Sequence, residues 1–183
     1  MTTNLKSTLA RRFAFGEFAD VAQSSTRWLM CWREQAAVHE AGHAVIAQRF
    51  HVPVESATIA TTFPDGTSGT DLGNVPFPEN ATCQYRCLGC IYLAGTSATL
   101  RLLGHPRSSA SRQRQVSAAD LALTRQCYDE HVGQLSPETR DRLFPDVLKI
   151  WTKRTTALVR ESWDDILDLA DRLLVEQTVE FAA

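Results

Sequence analysis

Apolar and polar positions along the chain sort into a succession of helical stretches, interrupted once by an alternating segment. From about Ser25 to Phe50 good helix formers run without a proline until Pro53, and Ser24, Ser25 or Thr26 can cap the start. Residues 54–63, VESATIATTF, then alternate and carry β-branched side chains, which predicts a strand. The segment PDGTSG at 64–69 supplies turn residues, and TDLGNV at 70–75 is expected to return as a second strand. A further helix is expected from about Ala81 to Leu103, with Gly89 and Gly95 weakening it. A polar, basic loop over 104–115, holding Pro106, leads to a helix from Ser117 to about His131. The chain is expected to become helical after Pro137, and again after Pro145, through Phe181. There Leu158, Ile166, Leu169, Leu173 and Leu174 keep helical spacing. No internal repeat, low-complexity tract or long linker breaks this order. The pattern predicts a mainly α, bundle-like domain over 26–183 with one small β hairpin, preceded by an N-terminal arm or leader over 1–25.

Composition narrows the class without choosing a function. The 183 residues suffice for one domain with a real core, and 44% hydrophobic against 22% charged residues is ordinary for a folded protein. A net charge of −2 gives no electrostatic reason to expect nucleic acid as a partner. No apolar run approaches the roughly 18 residues that cross a bilayer. The opening MTTNLKSTLARRFAFGEF lacks the apolar core of a signal peptide. It faintly resembles an organellar transit peptide, but Glu17 and Asp20 count against that, which leaves a cytoplasmic location as the expectation. Five irregularly spaced cysteines suit a reducing compartment better than a disulfide framework. Cys87 and Cys90, with Cys83 before them, read as small apolar side chains on a buried helix. A second zinc or a redox pair is the other reading, but no second C-x-x-C completes four ligands.

The chemistry concentrates at 38-VHEAGHAV-45, where His39, Glu40 and His43 form H-E-x-x-H. Positions four apart share one helix face, about 6 Å apart along the axis, so His39 and His43 can offer nitrogens to one ion. Glu40 projects about 100° around from His39 and stands beside such an ion, where a carboxylate can act as general base. Gly42 costs on the order of 1 kcal/mol of helix propensity relative to alanine, so some gain must offset it. Room at a crowded site is one candidate. A catalytic zinc needs a third protein ligand and a position open to water. The extended signature H-E-x-x-H-x-x-G-x-x-H fails, because Ile46 and Arg49 stand at its glycine and last histidine. His51, His105 and His131 are available in principle. Asp120, at the start of the helix in SAADLALTRQ, is either a rigidly held ligand or half of an S-x-x-D capping box with Ser117.

With those residues in view, the chain resembles the peptidase domain of FtsH-type ATP-dependent zinc metalloproteases. The likeness runs in order through VHEAGHAVIA (38–47), TIATTFPDGTSGTDLGNVP (58–76), YLAGTSATLRLLG (92–104), SAADLALTRQ (117–126) and TALVRESWDDILDLADRLLVEQTVE (156–180). It implies zinc bound by His39, His43 and Asp120, Glu40 as general base, and hydrolysis of peptide bonds in peptides or unfolded segments. It also implies that an extended substrate pairs with a sheet edge around Thr58–Thr62 or Asp71–Val75. His39 lies too near the start of this sequence for the family's ATPase module and membrane segments, so a separate ATPase or unfoldase is the partner the resemblance suggests. Where the family carries paired glutamates, this chain has Thr99 and Leu100. That departure leaves a second expectation beside the protease, a non-catalytic zinc-binding interaction module derived from one.

Overall fold

The computed structural model describes residues 25–59, 69–71, 81–102 and 118–181. The arm over 1–25, the basic loop with His105, Ser117, and the strand residues beyond Asp71 lie outside the described residues, apart from Ser25, where the first helix begins.

The fold is mainly α with a small antiparallel sheet. Helix α1 (Ser25–Arg49) runs through the middle and packs most extensively on α3 (Ala94–Leu102) and α6 (Trp163–Glu176). Between positions 37 and 47 it is buried almost all round, with Ala37, Val38, Ala41, Ala44, Ile46 and Ala47 fully enclosed. A helix apolar on every side belongs in a core. The polar residues inside this stretch must therefore find partners, because an unpaired buried polar group costs roughly 1–3 kcal/mol. Small side chains let neighbours close in. A Cβ on Gly42 would stand 2.9 Å from the Ala94 carbonyl oxygen and 2.9 Å from Ala98 Cβ, so α3 crosses at this glycine. Close helix packing is the gain that offsets its lost propensity.

The expected helix over 81–103 is instead two, α2 (Ala81–Tyr92) and α3, with a turn at Leu93. Beyond α3, α4 (Ala118–His131) packs on α2, and α5 (Pro137–Glu161) lies against α2 and α3. Ser136 caps α5, accepting from the Thr139 backbone N–H at 3.3 Å, with Pro137 at the first helical position. Pro145 was expected to restart a helix but sits inside α5. Its ring removes the hydrogen bond to the carbonyl four residues back, at Asp141. Both residues are exposed, so water can serve that carbonyl. The real break falls at buried Ser162, between α5 and α6.

The chain also departs from helix at its end. Gln177 takes a left-handed φ of 66°, and Thr178–Glu180 form β3 rather than the last turn of a helix. The leucine spacing stops at Leu174, and the β-branched pair Thr178 and Val179 suits a strand. The predicted hairpin is present as β1 (Ser56–Thr58) and β2 (Gly69–Asp71), and β3 widens it to a sheet of order β2-β1-β3. Ala57 pairs with Thr70 on one side and Val179 on the other, which puts these three on the face toward α1. At Thr58 the strand is thus central with both edges taken, which closes the expected edge at that residue, and Thr61 and Thr62 lie outside the described residues. Among the described residues, β2 is an edge strand. No helix among the described residues is long and apolar enough to cross a membrane.

Candidate metal centre

His39, Glu40 and His43 come from the buried stretch of α1, and Asp120 from the first turn of α4. A second apolar cluster holds α4 in place. Tyr128 packs with Leu93, Leu148 and Trp151, and its hydroxyl donates to the Arg140 carbonyl at 3.2 Å. Arg125 reinforces the contact, pairing with Asp129 at 2.8 Å on its own helix and with Asp141 of α5 at 2.5 Å. That docking turns Asp120 inward, where it is only 7% exposed.

The three residues meet. His39 Nε2 lies 3.1 Å from His43 Nε2 and 3.3 Å from Asp120 Oδ2, and His43 Nε2 lies 3.5 Å from Asp120 Oδ1. An ion about 2.0–2.1 Å from each donor in tetrahedral geometry needs donors roughly 3.3 Å apart. The three separations bracket that value, so the group fits a metal ion, and it is the metal-competent cluster found among the described residues. His51 is exposed just past α1, and His131 ends α4; neither joins it.

Each ligand has an orienting partner. His43 Nδ1 lies 2.7 Å from the Ile91 carbonyl. A carbonyl only accepts, so Nδ1 carries the proton and the Nε2 lone pair faces the site. This carbonyl lies near the end of α2, two residues before the interruption at Leu93. Thr96 Oγ1 donates to Asp120 Oδ2 at 3.0 Å. Thr99, standing where the resemblance expects a glutamate, has its hydroxyl 3.5 Å from His39 Nδ1 and donates to the Gly95 carbonyl at 3.1 Å. Glu40, 6% exposed, has Oε2 2.9 Å from the Thr70 hydroxyl.

Electrostatics follow from burial and proximity. Burial acts to raise the Asp120 carboxyl, but hydrogen bonds from His39 and His43 outweigh it and hold the group well below the usual carboxylate range. Burial acts to lower the His43 imidazole; the Asp120 hydrogen bond and charge, the Glu40 charge and the Ile91 carbonyl together push it above 6.5. The cluster thus favours an ionised carboxylate beside a readily protonated imidazole, a site that welcomes positive charge.

Four contributors escaped sequence reasoning. Gly95 had registered only as a weak spot in a helix, yet a Cβ there would come within 2.7 Å of His39 Nε2 and closer still to His43 Nε2. Thr70, Thr96 and the Ile91 carbonyl carried no signal, because hydroxyls and carbonyls are everywhere. Of the cysteines read as small apolar side chains, Cys90 is buried as expected and Cys87 is half-buried. Cys90 and Cys127 are buried, and burial pushes the Cys127 thiol up to about 12 and raises that of Cys90 as well. Cys83 lies outside the residues whose side chains are described. Compared with known proteins, the chain matches no family model and no curated protein.

Proposed function

We propose that this chain is a zinc-dependent endopeptidase of the FtsH-like type, in which His39, His43 and Asp120 hold the ion and Glu40 is the general base. The observation that carries the reading is the convergence of two imidazoles and one carboxylate at tetrahedral spacing, with a buried carboxylate on the adjoining helix position. Two nitrogens and one oxygen are a donor set suited to zinc. When bound there, zinc supplies a Lewis acid that polarises a carbonyl and acidifies a water. Glu40 accepts the proton of the attacking water and delivers it to the leaving amine. An extended peptide pairs along the edge strand β2, close to Glu40 through Thr70. Substrates are peptides, flexible tails or unfolded chains, presented freely or by a separate ATPase, and the setting is cytoplasmic.

A second reading, a zinc-bearing interaction module without turnover, is favoured by one observation: neutral Thr99 beside His39 in place of a carboxylate. Cleavage of casein separates the two. Glu40→Gln is expected to keep its metal and to lose at least about a hundredfold in casein cleavage. Undiminished cleavage by that variant, or no cleavage by the wild type, would remove the peptidase reading.

A further inference from the structure

We infer that Thr70 is the positioning residue for Glu40, a clamp between the edge strand and the catalytic base; the inference rests on the peptidase reading for its catalytic consequence. Its hydroxyl lies 2.9 Å from Glu40 Oε2 and 3.1 Å from the Glu40 carbonyl oxygen. Both are acceptors, so the single hydroxyl proton is shared between the carboxylate and the backbone of the same residue. That arrangement fixes the side chain relative to its own main chain, the rotation a general base must not make. Glutamate has three rotatable bonds and loses rotamer freedom when it is ordered. A donor already in place meets that cost before substrate arrives.

The sheet explains why Thr70 can do this. Ala57, fully buried on the α1 side of the sheet, is the register partner of Thr70, and fully buried Val179 is the next residue in the row beyond it. Pairing with β1 thus sets the height of the Thr70 side chain over α1, while the other edge of β2, unpaired among the described residues, offers its main-chain groups to a peptide. A hydroxyl on the inner face holds the base, and the main chain on the outer edge holds the substrate. Valine at position 70 has the shape of threonine without the donor, and serine has the donor without the methyl group. The two substitutions separate packing from hydrogen bonding.

The test compares wild type, Thr70→Val, Thr70→Ser and Glu40→Gln, each loaded with zinc, on an unstructured casein-derived peptide. A second measurement is free of activity: urea unfolding of the zinc-free Thr70→Val, Glu40→Ala and double variants. The clamp predicts that Thr70→Val lowers kcat about tenfold with KM within twofold and zinc content unchanged, and that Thr70→Ser recovers most of the loss. It also predicts that the two stability losses are not additive. Wild-type turnover abolished by Glu40→Gln but untouched by Thr70→Val overturns the clamp and leaves the peptidase reading standing. No turnover by wild type overturns the peptidase reading and with it the clamp's catalytic role, and additive unfolding losses overturn the contact itself.

Discussion

Gly95 governs how closely two imidazoles can approach one point. Its missing side chain is the space in which His39 and His43 bring their Nε2 atoms to 3.1 Å. Around that point each functional side chain has one orienting partner, namely the Ile91 carbonyl for His43, Thr96 for Asp120, Thr99 for His39 and Thr70 for Glu40. Three of the four are threonine hydroxyls, which orient without adding charge. Gly95→Ala is expected to leave the helices in place and weaken zinc binding by at least about tenfold, since loss of ligand orientation typically changes affinity 10–100-fold. Competition titration with a chelating dye checks this; unchanged affinity would mean that the rings relax around a methyl group without loss.

At the level of elements, sequence and structure agree where a single period dominates. The helix over 25–49 and the antiparallel pairing of β1 with β2 were legible, because runs of helix formers and alternation around turn residues are local signals. Three boundaries were not. The turn at Leu93 comes two residues after a carbonyl that accepts from His43, 48 positions away, a contact that no local pattern announces. Pro145 continues its helix because Asp141 faces solvent, and solvent exposure is a tertiary property. β3 exists because β1 offers an edge, with Ile59 donating to the Gln177 carbonyl at 2.9 Å and Phe181 to that of Glu55 at 3.0 Å. The site shows the same division. His39, Glu40 and His43 announce themselves by spacing within one helix. Asp120 stood evenly between ligand and cap until family likeness favoured it, and only the docking of α4 through Tyr128 and Arg125 brings its carboxylate to the imidazoles.

Across the whole molecule, the candidate metal site ties stability to pH. Asp120, depressed below its ordinary 3.8, contributes stability that is present above that pH and lost as pH falls through the folded value. His43, raised above 6.5, contributes stability that is present below 6.5 and lost as pH rises through the folded value. Metal-free protein should therefore resist urea better at about pH 5.5 than at about pH 8, because the Asp120 contribution is present at both values and that of His43 is fullest at the lower one. If zinc binds as proposed, it is expected to reverse the order, because its ligands must be deprotonated to bind. Urea midpoints with chelator and with zinc at the two pH values test this, and a chelated protein more stable at the higher pH would contradict it. The central claim, that residues from two distant segments make one metal site, is met most directly by metal analysis of purified wild type beside Asp120→Ala. The account predicts about one zinc per wild-type chain and binding weakened well beyond tenfold in the variant. A metal-free wild type, or a variant that holds zinc as tightly, would contradict it.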